Sequence, residues 1–565
     1  MKVAERRKPS GQSRSSSHEP SDLSTECSMN RQTHFRLPLI LSGLIVFAAA
    51  RSTNAADGAT DWQQVDAIAR QVDQHFEKAW RENEVTPSEP AQPSEFFRRV
   101  WLDVAGKIPQ VAVTREFLAR SEVSEDDARQ ARRDMIDRLL DRPTYVTHFA
   151  EFWQAALIPE ATAEAQLRQL RPAFEAWLRD QLRSEVAYDD LVRSVITAPI
   201  DSLEGNRRTQ EASPGVFFRV KQLDPANLAA ATSRVFLGVR LECAQCHNHP
   251  FDTWKQEQFW SLAAFYSGVK GDNAFAMVNE VTDRRKIQIP DSDRVVEASF
   301  LSPDKSARSE PAKQSTPREE LAAWVTADDN PWFARMAVNR LWGMFFGRGF
   351  VDPVDDFSAN NPPSHPEVLD LLAREFAASG YDLKFLIRVI TSTEAYQLSS
   401  RQTSPSQSAP EMFARASVRG LTPRQVFNSL SVAMGTFEPF TVPGQFNDQP
   451  AEREFLDLFS NDSDSPLERP TTILQALSLM NGDLIGQGTD LEQSRTLRAI
   501  IDYPLMTRDQ KIETLYLAAL TRRPTDSEAQ RLKQYADSLP AEEEPRALAD
   551  IYWTLLNSSE FLFNH

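Results

Sequence analysis

The stretch DWQQVDAIARQVDQHFEKAW, Asp61 to Trp80, decides how the chain is read. Trp62, Val65, Ile68, Ala69, Val72, Phe76 and Trp80 recur at the three- and four-residue spacing of one helical face, and polar side chains fill the other. Working outward, Pro87, Pro90 and Pro93 break this period, after which Ser94 is predicted to cap the helix EFFRRVWLDVAG. There Phe97, Val100, Trp101 and Val104 share a face and Gly106 marks the stop. Further helices are predicted at 127–141, 144–157, 165–184, 188–197, 225–237 and 255–267. Helices resume at 318–326, 331–346, 365–378, 382–392 and 422–434, with several more from 469 onward.

Between 268 and 300 the period falls to two, most clearly in Lys286–Ile289 and Arg294–Ala298, which predicts a small strand pair. The polar segment 301–317 reads as a linker, and 399–410 and 460–468 read as exposed connections. The expected fold is therefore mainly α: two multi-helix units, 56–300 and 318–565, with a small β insertion closing the first. Composition agrees. Among 565 residues, 19 Gly against 35 Pro suits helices punctuated by proline stops. The 41% hydrophobic and 25% charged content argues against disorder throughout. A net charge of -17 repels phosphate backbones, so nucleic acid is not an expected partner.

Residues 1–55 read as a targeting segment. The apolar run LPLILSGLIVFAAA, 37–50, follows Arg31 and Arg36 and precedes small residues ending at Ala55, the pattern of a cleavable export signal. Its 14 residues fall short of the ~20 that a bilayer span requires, so no stable span is expected after cleavage. Met29 offers an alternative start behind the Ser-rich leading stretch. The expected location is the periplasm, cell envelope or exterior. Cleavage removes Cys27 and leaves two cysteines, Cys243 and Cys246.

Those two stand in Glu242-Cys-Ala-Gln-Cys-His-Asn-His-Pro-Phe-Asp252. Cys243-x-x-Cys246-His247 has the spacing for covalent haem c: two thiols reach two vinyl groups and the adjacent imidazole becomes the proximal iron ligand. Met277, His148, Met336, Met344 and His365 are the candidates for the opposite axial position. Trp254, Phe259, Trp260, Phe265 and Tyr266 either wall a haem or form ordinary core. Two other readings stay open. Cys243, Cys246 and His249, with His247 or Asp252, have the ligand types of a structural zinc site. Alternatively the cysteines form a local disulfide or redox pair.

The segment CAQCHNHPFDTWKQEQFWSLAAFY resembles the planctomycete cytochrome C-type domain family, and FFRRVWLDVAGKIP is similar to that family's opening helix and turn. The second half, from PREELAAWVTADDNPWFARMAVNRLWGMFFGRGFVDPVDDFSANNPPSHPEVLD to the closing LNSSEFLFNH, resembles the companion planctomycete-specific C-terminal domain. The resemblance implies an exported protein with haem. Relatives often carry a further haem-type domain that this chain lacks, so electron transfer in the envelope implies a redox partner protein.

One more cluster has chemical content. Asp352, Asp355, Asp356, Asn360, Asn361, His365 and Glu367 crowd a Pro-rich loop, with the oxygen ligands of a calcium site or the carboxylates of glycoside hydrolysis. The structural alternative pairs Asp355 and Asp356 with Arg340 or Arg348, with Ser364 capping the next helix. Asn339-Arg340, set in an apolar helix with Trp332, Phe333, Met336, Val338, Leu341, Trp342 and Phe345, reads as a buried ion pair rather than a substrate clamp. An envelope enzyme or scaffold related to polysaccharide, in which the Cys-x-x-Cys is a structural disulfide or zinc site, is thus the alternative function. The chain has no Gly-x-Ser-x-Gly, phosphate-binding Gly-rich loop or His-Glu-x-x-His.

Overall fold

Asp61 opens the first helix, Trp62–Glu82, by accepting hydrogen bonds from the Gln63 and Gln64 N–H groups at 3.0 and 3.2 Å. The apolar stripe from Val65 to Trp80 then turns into the core. The computed structural model describes residues 61–200, 212–271, 280–302, 315–436, 450–459 and 472–565. The targeting segment, Met277, most of the predicted linker and the 460–468 connection lie outside them. No described helix is long and apolar enough to cross a membrane.

The second helix is Pro93–Ala105, and it opens on Pro93 rather than on a Ser94 cap. Proline suits the first helical position because its fixed φ is helical and its missing N–H costs no bond there. Gly106 ends the helix at φ 67°, and a Cβ there would lie 2.6 Å from His148 Nδ1, so a side chain is excluded on two counts. Helices follow at Glu125–Leu140, Pro143–Leu157, Tyr188–Ile196, Pro225–Leu237, Pro317–Val325, Phe333–Phe346, Pro366–Ala378, Leu383–Ser392 and Pro423–Met434, close to the predicted bounds. The helix predicted from 165 starts at Arg171, and the one predicted to 267 gives way to a 3-10 turn, Ala264–Tyr266. Val111–Ser121 has no predicted counterpart, since only Thr114, Phe117 and Leu118 are buried along it. The expected strand pair exists: Lys286–Gln288 runs antiparallel to Val295–Glu297, with Ile287 opposite Val296. A second pair, Arg419–Gly420 with Phe563–Asn564, is too short to leave a period in the sequence.

The two expected units do not pack separately. One core runs from Val65 to Ala414 and includes Leu517; the second joins Leu102 and Ile108 to residues between Leu421 and Leu562. Asp61–His565 accordingly forms one compact unit. Phe76 stacks on Trp342 with centroids 5.8 Å apart, and Tyr188 stacks on Phe333 at 5.4 Å, so aromatic faces from both sides of the 301–317 segment interlock. A polar segment reports solvent exposure along the chain, not a division of the core. The 399–410 connection is likewise anchored: Gln407 is buried and its Nε2 donates to the Thr86 carbonyl at 2.9 Å.

The second helix carries a buried polar cluster. Arg98 donates to the carbonyls of Ala519 at 3.1 Å and Phe561 at 2.9 Å, and Arg99 to those of Tyr396 and His565. Asp103 accepts from both Arg419 and Asn564, and from the Tyr396 hydroxyl at 2.8 Å. Thus the motif FFRRVWLD and the closing SEFLFNH, far apart in sequence, satisfy one another's buried polar groups.

On the first helix, burial pushes the Asp73 carboxyl up from an ordinary 3.8 to about 7; the Glu394 N–H, donating at 2.8 Å, opposes this, and the Glu394 and Glu77 charges add to it. Because the folded value lies above the unfolded one, this group's stabilising contribution is complete below about pH 4 and is lost as pH rises through about 7. Asp73→Asn keeps an acceptor for that N–H. It is expected to raise stability at pH 8 by about 1–3 kcal/mol and to leave it nearly unchanged at pH 4. Chemical denaturation at both pH values checks this, and equal effects at the two would reject it.

Candidate functional site

Gly238 shapes the approach to the cysteine loop. It ends the Pro225–Leu237 helix at φ 69°, and a Cβ on it would lie 2.5 Å from the Phe357 ring and 2.9 Å from the Met336 sulfur. The chain then reverses through Val239, Arg240 and Leu241 into the 3-10 turn Glu242–Ala244 that presents Cys243. Cys243, Cys246, His247 and Asn248 are all exposed, and both thiols are free.

Although open to solvent, the loop is held from behind. Gln256 Nε2 donates to the carbonyls of Gln245 and Cys246 at 3.2 and 2.8 Å, and Trp260 Nε1 donates to that of Gln245 at 2.9 Å. Its far end is closed by His249 N–H donating to the Trp254 carbonyl at 2.8 Å. His247 Nδ1 lies 2.7 Å from the Asn248 carbonyl. A carbonyl only accepts, so this contact places a ring proton on Nδ1, and in the neutral ring the lone pair is then on Nε2.

A second loop, 350–361, braces the first from the other half of the chain. Asp355 accepts from Arg234 Nε at 2.7 Å and from Arg240 at 2.5 Å, which hold its carboxyl below the usual carboxylate range against the effect of burial. Phe357 N–H donates to the Gly238 carbonyl at 2.8 Å, and Asn360 Nδ2 to the Phe251 carbonyl at 2.7 Å. Asn339 supports this brace from the Phe333–Phe346 helix, donating to the Val351 and Val354 carbonyls and accepting from the Val351 N–H.

This geometry redistributes the sequence-derived candidates. The five aromatic residues after the motif are core: Phe265 stacks on Phe300 at 5.1 Å, and Trp254, Phe259, Trp260 and Tyr266 are buried. Of the axial candidates, His365 is enclosed by Phe76, Phe350 and Phe413, and its Nε2 contacts the Glu411 carbonyl at 3.0 Å. His148 packs at Gly106, and Met344 sits half-buried on the first core. Met336 is buried under the Gly238 turn, which leads into the cysteine loop.

Among the described residues, no group of three His, Cys, Asp or Glu side chains is placed to hold a metal ion, so Cys243, Cys246 and His249 are not assembled as a zinc set. His249 Nδ1 instead accepts from the Phe251 N–H at 3.3 Å. The acidic loop likewise brings together no such group of three among the described residues. Asp355 pairs with Arg234 and Arg240, not with Arg340 or Arg348; Arg348 pairs with Asp352 at 3.3 Å, and Glu367 with His75 at 3.3 Å. The Asp356 N–H donates to the Pro353 carbonyl, and the Asp356 carbonyl accepts from Asn361 at 3.0 Å. The Pro366–Ala378 helix takes His365, not Ser364, as its capping residue, and without a side-chain bond. Among the described residues Arg340 forms no ion pair of the expected kind, and its Nε is shielded from solvent without a hydrogen-bond partner.

The helical architecture and the two loops define a chain in which a cysteine loop from one half is braced by an acidic loop from the other. A segment of each half matches a planctomycete-type family model. Residues 71–271 match PSCyt2, described as a protein of unknown function (DUF1549), and residues 317–463 match PSD1, described as a protein of unknown function (DUF1553). No curated protein and no solved structure matches the chain.

Proposed function

We propose that this is an exported envelope protein that takes haem c covalently at Cys243, Cys246 and His247 and exchanges electrons with a redox partner. The observation that carries the reading is the His247 contact with the Asn248 carbonyl, which engages Nδ1 and leaves Nε2 as the nitrogen a neutral ring would offer to iron. With both thiols free and exposed beside it, the donor set matches the demands of the cofactor: two thioether positions and one imidazole nitrogen. Haem bound there would supply one-electron chemistry. Phe251, 80% exposed next to the motif, offers an apolar surface of the kind a porphyrin face covers.

Coexpression of the full precursor with a cytochrome c maturation system is expected to give a chain heavier by one haem and a pyridine haemochrome spectrum of the two-thioether type. Cys243→Ser with Cys246→Ser should abolish the mass increase, and His247→Ala should keep attachment while altering the Soret band. An unmodified chain recovered from cells that mature a control cytochrome c rejects the proposal.

A further inference from the structure

The cysteine loop takes its shape from a residue outside the motif. Gln256 opens the Gln256–Ala263 helix, and its Nε2 donates to the carbonyls of Gln245 at 3.2 Å and Cys246 at 2.8 Å. Its backbone N–H donates to Asn248 Oδ1 at 3.1 Å, and its Oε1 accepts from Arg294. An amide suits this place because one end donates twice while the other accepts. The flipped amide would set Oε1 against two carbonyls and Nε2 against a guanidinium, so Arg294 decides which way round Gln256 stands. Arg294 is itself fixed by the turn of the hairpin. Its carbonyl accepts from the Ile289 N–H at 2.9 Å, its N–H donates to Ser292 Oγ at 3.3 Å, and Gln288 Nε2 donates to the Ser292 carbonyl at 2.8 Å. Ile289 and Val296 are buried, and both strands pack against the helix that carries Gln256.

We infer that Gln256 is the positioning residue of the cysteine motif, and that the small hairpin acts through Arg294 to orient it, so that the loop bearing both thiols and His247 is set before a cofactor arrives. The purpose of this latch rests on the haem reading; its geometry does not. In attachment each thiol adds its sulfur and hydrogen across one vinyl double bond, with nothing released, and both additions fall on one rigid ring. A loop already held in one shape gives up less freedom in meeting such a ring than a loose one does.

The test compares Gln256→Glu, Gln256→Met, Arg294→Met and the double variant Gln256→Met/Arg294→Met in the full chain. Gln256→Glu keeps the size and the arginine contact but turns two donated bonds into acceptor facing acceptor. Amide hydrogen exchange of the chain without haem is read at Ala244, Gln245 and His249, whose N–H groups bond the Leu241, Glu242 and Trp254 carbonyls. Exchange there should quicken about tenfold in both Gln256 variants, the ratio that one or two net hydrogen bonds are worth, while the Pro225–Leu237 helix keeps its rate. Arg294→Met should quicken it about threefold alone and add nothing in the double variant, because it acts through the amide. Arg294 is exposed, so its variant carries the test should a Gln256 variant not fold. With the maturation system present, the Gln256 variants should also carry haem on about a threefold smaller fraction of chains at unchanged Tm. Wild-type exchange in every variant overturns the latch, and so does additivity of the two substitutions. Quickened exchange with undiminished attachment overturns the positioning role. A wild-type chain that takes no haem rejects the attachment reading instead, and the exchange rates still judge the latch.

Discussion

Asp103→Ala is expected to destabilise the protein by about 3–5 kcal/mol, enough to remove much of the stability of an ordinary domain. The carboxylate is 2% exposed and receives Arg419, the Tyr396 hydroxyl and Asn564 at once. Truncation leaves the Arg419 guanidinium, itself 6% exposed, without a counter-charge in a place that water does not reach. The cost is dominated by that stranded charge rather than by lost bonds. Asp103→Asn keeps an acceptor and the packing, so its loss should be smaller but of the same sign. Urea unfolding at pH 7 measures both, and a loss under about 1 kcal/mol for the alanine variant would show that the cluster is not what joins these segments.

Trp342→Ala should cost a similar amount, about 3–5 kcal/mol, for a different reason. The indole is fully buried, stacked on Phe346 at 4.1 Å and tilted against Phe350 at 4.4 Å, with Phe76 and Phe413 closing the cage. Alanine leaves a void between two helices and the loop that begins at Phe350, and rigid neighbours fill such a void only in part. Trp342→Phe separates volume from polarity. The indole Nε1 is buried without a hydrogen-bond partner, so the smaller apolar ring trades lost contacts against removal of an unsatisfied donor. Its loss should stay below about 1.5 kcal/mol. Similar losses for both variants in denaturant titration would contradict the cavity argument.

Helix positions were legible because a 3.6-residue period is a local property: the stripe from Trp62 to Trp80 is the buried face of the first helix. Which faces meet is a property of distant pairs. Nothing in 301–317 announces that Phe76 stacks on Trp342 across it. FFRRVWLD hid its role for a related reason. Arg98, Arg99 and Asp103 look like the wet side of an amphipathic helix, yet all ten residues from Phe96 to Ala105 are buried, and their partners lie near the other end of the sequence. A short helix with bulky apolar residues on every side of its charges was the available signal. The cysteine motif was readable because its members are adjacent. Its support was not, because Asp355 reaches Arg240 across 115 residues and bypasses the nearer Arg340 and Arg348.

The clasp between the second helix and the last residues also bears on how the polypeptide is made. Arg98 leaves the ribosome early, but the Phe561 carbonyl that it binds is translated 463 residues later. During that interval the helix lacks this acceptor, so the locking contact forms only after the segment around Phe561 has been made. Products stopped before Phe561 would lack the clasp and stay open to proteases.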